Sequence, residues 1–340
     1  MKIDLTETTS SKINQALVSA RRAVGTPAIG MVLTLVIVTD EENAYDALKA
    51  ASDSSREHPS RIIAVIKRVS RSPRSRRDAR LDAEVRVGSD SGSGETIILR
   101  LHGELANHAQ SVVLPLLLPD APVVLWWPED APSDPARDPL GALAQRRITD
   151  AYSAEAPSAE LAARAQSYAP GDTDLSWTRI TPWRSMLAAA LDQKPGKVLS
   201  ATVEGESENP SCELLAMWLA DRLKVPVQRT LSAGPGLTAV RMETEDGTIV
   251  LDRPDGSLAT LSMAGQPNRA VALKRRETAE LLAEELRRLD PDNTYEATVK
   301  FGVENLAGAA APEPATAKAS EPAATPTAAK KTAAKRAAAK

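Results

Sequence analysis

The sequence predicts a mixed α/β protein with two domains and an unstructured basic tail, and three observations predict it. Met31 to about Val69 reads as strand–helix–strand, the unit from which α/β sheets are built. Thr238–Met242, Thr248–Leu251 and Ser257–Met263 alternate apolar and polar residues, with Asp246-Gly247 and Asp255-Gly256 between them. That is the pattern of an antiparallel meander. Beyond Val303 the chain turns to Ala, Pro, Thr and Lys, a composition that cannot offset the entropy of ordering. At 340 residues there is room for two domains and a tail, placed at 1–150 (α/β with a hairpin), 151–303 (meander plus helices) and 304–340.

Thr9 or Ser10 caps a first helix whose apolar stripe is Ile13, Leu17, Ala20 and Val24, and Gly25 and Pro27 stop it. Met31–Val38 is continuously apolar and rich in β-branched residues, as in a strand covered on both faces. Asp40 caps a helix through about Ser52, and Arg61–Val69 is the second strand. Asp82–Val87 and Thr96–Leu101 make a hairpin over Ser89–Gly94. A helix from about Glu104 shows Leu105, Ala109, Val112 and Leu116 on one face until Pro115 kinks or ends it. Pro122–Trp127 is the next strand, and the Pro- and Asp-rich run Pro128–Pro139 marks a linker there or slightly later. Helical pieces follow at Leu140–Ile148, Ala159–Gln166 and Pro182–Leu191, then a strand at Val198–Val203. Asn209-Pro210 is a capping Asn with Pro at the first helical position. The amphipathic helix Glu277–Leu289 closes the fold.

Composition excludes several classes of chemistry. Cys212 is the only cysteine, so no internal disulfide and no thiolate metal cluster can form. Near a helix N-terminus its pKa could fall somewhat, yet such a Cys is more often a small core residue. His102, Glu104 and His108 fit no metal-ligand spacing, and with His58 the only other histidine a Ser–His–Asp set has few ways to form. Gly88, Gly92 and Gly94 are followed by Glu95 and a strand, where a P-loop needs Lys and a helix. Met1-Lys-Ile-Asp-Leu-Thr-Glu is unlike a signal peptide, and the longest apolar runs are too short to span a bilayer. A cytoplasmic protein is expected, with no membrane partner. A formal net charge of −3 gives no overall push toward nucleic acid.

Two constellations remain. The basic, Ser-rich loop offers Arg71, Arg74, Arg76 and Arg77 as candidate phosphate ligands, against the simpler reading of a solvated charge run. The same loop and the lysine tail support two alternatives, a sugar-phosphate enzyme or a nucleic-acid-binding module. Tryptophan is the stronger signal: aromatics are 3% of the chain, yet four of five Trp fall in Pro122–Pro128 and Asp174–Arg184. Trp126 and Trp127, adjacent on a strand, point to opposite faces, so one core cannot hold both. Around Trp177 and Trp183, Arg179 and Arg184 are available for planar ion pairs with Asp172 or Asp174. A structural clamp and a protein interface weigh equally there. Candidate partner-binding residues are Trp126, Trp127, Asp174, Trp177, Arg179, Trp183 and Arg184.

Thr26–Val38, His108–Pro128 and Asp174–Arg184 resemble the OpcA family of glucose-6-phosphate dehydrogenase assembly proteins, best known in actinobacteria and cyanobacteria. The resemblance runs from about Met1 to Val303. It implies a non-catalytic partner that binds the dehydrogenase, promotes its active oligomer and raises its activity at the entry to the oxidative pentose phosphate pathway. It brings no catalytic residues and no metal. It implies no cofactor in this chain, since NADP would belong to the dehydrogenase.

Overall fold

The computed structural model describes residues 1–25, 30–68, 79–88, 94–193, 196–305 and 313–314. The fold is mixed α/β, built on two sheets. Arg71, Arg74, Arg76 and Arg77 lie outside the described residues, as does the tail apart from Glu304, Asn305 and Glu313–Pro314.

The first sheet begins with β1 (Lys2–Leu5), followed by α1 (Ser10–Val24). Thr9 caps α1 by accepting from the Lys12 N–H, and Gly25 ends it in the left-handed conformation, φ +71°. Ile13, Leu17 and Ala20 are buried, but Val24 is largely solvent-facing at the end of the helix. Then come β2 (Leu33–Thr39), α2 (Ala44–Ser54) and β3 (Ser60–Arg68), the predicted strand–helix–strand unit, with β2 and β3 parallel. The helix starts later than expected because Asp40 spends its side chain on the turn, accepting from the Asn43 N–H. The hairpin pairs β4 (Arg80–Val87) with β5 (Glu95–His102). The expected long helix after Glu104 is a 3₁₀ turn, the short α3 (Ala109–Val113) and a second 3₁₀ turn at Pro115.

Strands β6 (Val123–Trp126), β7 (Arg146–Thr149) and β8 (Asp172–Asp174) complete this sheet, in the order β1-β4-β5-β3-β2-β6-β7-β8. The helical reading of Leu140–Ile148 is corrected: only a 3₁₀ turn at Gly141–Leu143 forms, and β7 pairs parallel with β6 and β8. Gly141 explains the turn locally. A methyl there would collide with the Pro135 carbonyl and crowd the Trp127 ring, so the backbone is drawn onto the indole.

Between β7 and the second sheet run α4 (Pro157–Gln166), α5 (Leu175–Arg179) and α6 (Thr181–Leu191). Strand β9 (Val198–Gly205) leads into α7 (Pro210–Leu223), capped by Asn209, whose side chain accepts from the Ser211 and Cys212 N–H groups. Strand β10 (Val227–Leu231) returns parallel to β9. The meander is β11 (Leu237–Thr244), β12 (Gly247–Asp252) and β13 (Leu258–Ser262), extended by β14 (Arg269–Ala272). Helices α8 (Thr278–Arg287) and α9 (Asn293–Asn305) follow, and β15 (Glu313–Pro314) edges β10.

Three cores result. One face of the first sheet packs on α1, joining Ile13 and Leu17 to Val36, Ile63, Leu125 and Trp127. The opposite face is covered by α2 and by α8 arriving from the far end of the chain, joining Leu35, Ile37 and Trp126 to Leu281, Leu282 and Leu286. His58 fixes this return, its Nε2 lying 3.1 Å from the Ala283 carbonyl. The third core lies under the second sheet, where Val203, Met242 and Leu251 meet Leu214, Trp177, Trp183 and Tyr295.

Candidate functional site

The four clustered tryptophans are the frame of the molecule. Trp126 and Trp127 do point to opposite faces of β6, and each is buried in a separate core, at 1% and 2% exposure. Two adjacent indoles can both be interior because α8 supplies a second core behind the sheet. Trp177 and Trp183 are equally buried, beneath the second sheet. Trp177 donates from Nε1 to Asp292 Oδ2 at 2.8 Å, satisfying the polar edge that a buried indole carries.

Around them the charged groups are paired across long stretches of sequence. Asp174 caps α5 by accepting from the Ser176 N–H, and also accepts from Thr149 Oγ1 at 2.6 Å and the Ala151 N–H at 2.9 Å. Arg164 lies 3.7 Å from its Oδ2. Arg179 forms a two-pronged pair with Asp150, at 2.6 Å on each arm, and its guanidinium lies 5.1 Å from the Tyr152 ring. Its partner is therefore neither Asp172, which takes Arg147, nor Asp174. Burial drives the Asp150 carboxyl up and opposes the charge on Arg179, but the attraction and bonds of Asp150 raise the Arg179 pKa above its ordinary value. The fork geometry is that of an ion pair, with both groups charged. Arg184 stacks on Trp177, 3.5 Å from guanidinium carbon to ring centre, and burial pulls its pKa down to about 10. Arg146 of β7 pairs with Glu285 of α8, and Thr178 Oγ1 donates to the same carboxylate at 2.6 Å.

These contacts hold one wall of a cleft of about 270 Å³ between the α5–α6 corner and the second sheet. Tyr152, Arg179 and Trp183 form that wall; Asn209, Gly236 and Arg253 form the floor, and the run Lys274-Arg275-Arg276 forms the rim. Arg253 is buried, donates from Nη1 and Nη2 to the Leu273 and Leu237 carbonyls at 2.8 and 2.7 Å, and lies 5.0 Å from the Trp183 ring. Asp150, Asp292, Arg253 and the rim cations were not among the sequence candidates. The basic run just before α8 was the available signal for the rim.

Among the described residues no histidine or cysteine lines the cleft, and Ser211 Oγ is occupied by donation to the Ser176 carbonyl. The arrangement can bind and orient; it presents no nucleophile beside a histidine base. Elsewhere, His102 Nε2 sits 3.2 Å from Asp82 Oδ2 at the end of β5, and burial lowers its pKa. His108 is exposed at the end of a 3₁₀ turn. Among the described residues no group of His, Cys, Asp and Glu could hold a metal ion. Cys212 is fully buried and its thiol is pushed up to about 12 by burial, which overrides any help from the helix end. No helix among the described residues is long and apolar enough to cross a membrane.

Fold and cleft together define a two-sheet α/β protein with a cleft lined by Arg179, Arg253 and the run Lys274-Arg275-Arg276. Comparison with known families gives the particular identity. Residues 51–166 match the family described as glucose-6-phosphate dehydrogenase subunit N-terminal domain, and residues 170–299 match its C-terminal domain. The chain belongs to this family, the OpcA family. No curated protein sequence matches it. Similar solved structures include KijD10, a 3-ketoreductase from Actinomadura kijaniata, at 10% identity and TM-score 0.43, covering 79% of this chain and 94% of that one. A probable oxidoreductase, yhhX, has 10% identity and TM-score 0.43, covering 82% and 98%. An NAD binding oxidoreductase from Klebsiella pneumoniae has 7% identity and TM-score 0.39, covering 79% and 93%.

Proposed function

We propose that this chain is a non-catalytic partner of glucose-6-phosphate dehydrogenase, promoting the enzyme's active oligomer and raising its activity at the entry to the oxidative pentose phosphate pathway. The observation that carries this reading is the match of both halves of the chain to the dehydrogenase-subunit family. The cleft fits this reading by offering cationic and aromatic side chains that can bind. On this reading NADP and the substrate belong to the dehydrogenase, this chain carries no cofactor, and both work in the cytoplasm.

An activator of this kind acts through binding energy. It must hold the active state of the dehydrogenase more tightly than the inactive one, since equal affinity shifts nothing. A differential of about 1–3 kcal/mol corresponds to a shift of about 5–150-fold. Trp126, Trp127, Trp177 and Trp183 spend their area inside this chain, so their part in partner binding is to fix the surface that meets the enzyme. Asp174, Arg179 and Arg184 do the same through their pairs. Dehydrogenase kinetics with and without this protein, together with sizing of the mixture, test the proposal. We expect a larger complex and a changed Michaelis constant or turnover. A mixture that elutes as two separate species with unchanged kinetics refutes it.

A further inference from the structure

Glu277 is the one carboxylate among the residues lining the cleft, and two of the cleft's cations have no acid within ion-pair distance among the described residues. Arg179 is neutralised by Asp150, Lys274 pairs with Glu280 at 3.1 Å, and Arg276 pairs with Glu284. Arg253 and Arg275 are different. Among the described residues neither has a carboxylate at ion-pair distance: Arg253 donates to two carbonyls, and Arg275 donates a 3.3 Å side-chain bond to Tyr152 Oη besides its main-chain bond to Gly256. Arg253 is 5% exposed and its Nε has no partner. Holding a guanidinium so deep without an acid is expensive. Burial lowers its pKa most and the like charge of Arg275 lowers it further, while Asp255 offsets part of this without reaching ion-pair distance.

The floor between them is shaped for close approach. Gly236 has φ +67°, and a methyl built on it would lie 3.9 Å from both Arg253 Nη2 and Asn209 Nδ2. Two donors therefore converge over a residue that has no side chain. Asn209 Nδ2 is held only by a 3.5 Å contact to Glu206. Its Oδ1 consumes the first N–H groups of α7, so the helix contributes its dipole here rather than free donors.

We propose that this cleft binds the phosphate group of a small anion, with Arg253 as the buried charge beneath it, Asn209 Nδ2 as a donor and Arg275 closing from the rim. The volume falls just below the roughly 300–1,000 Å³ of pockets that hold drug-sized ligands, which suits a small phosphorylated metabolite or a free phosphate ion and not a dinucleotide. Guanidinium groups match phosphate oxygens in forked geometry, which favours this class over a neutral ligand. The inference does not depend on the dehydrogenase reading, because it concerns the isolated chain.

Calorimetric titration of the full chain at physiological ionic strength tests it, using a hexose phosphate, inorganic phosphate and the unphosphorylated hexose. We expect saturable binding of a phosphate-bearing probe and none of the free sugar. A hexose phosphate that binds tighter than inorganic phosphate identifies an ester as the natural ligand; equal affinity identifies the free ion. Arg275→Gln, at an exposed position that does not endanger folding, should weaken binding about tenfold or more, while Arg222→Gln on the far end of α7 should leave it unchanged. No binding at millimolar probe, or equal losses in the two variants, overturns the proposal.

Discussion

The pair between Asp150 and Arg179 should be the point at which the cleft wall is most easily broken. Asp150→Asn keeps the shape of the side chain and removes its charge. Asp150 is 4% exposed and accepts both arms of Arg179 at 2.6 Å, along with the Tyr152 N–H at 3.3 Å and Ser153 Oγ at 3.4 Å. Removing one partner of a buried ion pair costs about 3–5 kcal/mol, mainly because the other charge is left stranded. The Arg179 side chain retains 23% exposure, so water can recover part of that, and about 3 kcal/mol is the reasonable figure. At roughly 2–4 °C per kcal/mol for domains of this general size, the unfolding midpoint should fall by about 6 °C or more. Thermal unfolding of the isolated chain, followed by circular dichroism, measures it. A double-mutant cycle with Arg179→Met should show the double variant less damaged than the two single losses summed. A shift for Asp150→Asn within about 1 °C, an effect typical of a surface substitution, with an additive cycle, would mean that the pair does not hold the wall.

Three further outcomes are expected. Trp177→Phe removes the indole N–H given to Asp292 along with part of the buried ring; denaturant titration should show a loss of about 2 kcal/mol or more from the bond and the cavity together, and an unchanged midpoint refutes both contributions. For Asp292 itself, burial raises the carboxyl pKa, but hydrogen bonds from Trp177, Tyr295 and Thr294 and the charge of Arg184 bring it below the ordinary aspartate value. A depressed folded-state pKa gives stability that is fully present above the unfolded value of about 3.9 and lost as pH falls through the folded one, so Asp292→Asn should flatten the acid limb of stability against pH below about 4; an unaltered limb counts against it. Cys212, buried and with its thiol pushed up to about 12, should resist a thiol reagent in the folded chain and react on unfolding. Rapid labelling of the native protein at neutral pH would contradict that.

Local patterns made much of the fold legible, and contacts across distant sequence account for the rest. The strand–helix–strand unit and the meander each announce themselves within one continuous stretch of chain, through apolar runs and Asp-Gly turns. Asn209-Pro210 specifies a helix start without reference to anything else. Strand β7 does not. Arg146-Arg147-Ile148-Thr149 looks like the polar edge of a helix until its arginines meet Asp172 and Glu285, the latter 139 positions away. The same separation hid the role of the tryptophans. Opposite faces for Trp126 and Trp127 followed from strand geometry alone, but the second core behind Trp126 is contributed by Leu281, Leu282 and Leu286.

The cleft shows the same logic at the level of function. Its wall was visible as a cluster of Trp and Arg, while its floor comes from the Arg253 turn and Gly236, and its rim from the basic run before α8. That same α8 closes the core behind Trp126 and, through Glu285, receives Arg146 and Thr178. One helix therefore links the rim of the cleft, the wall and the first sheet. An anion drawing Arg275 inward would pull on the segment that leads directly into this helix. Transmission along α8 requires the helix to hold two arrangements that both ends bias. Arg146→Met should on this argument uncouple the cleft from the first sheet. Hydrogen exchange across β6 and β7 with and without phosphate is the measurement, and protection that responds identically in the wild-type chain and the variant would deny α8 that role.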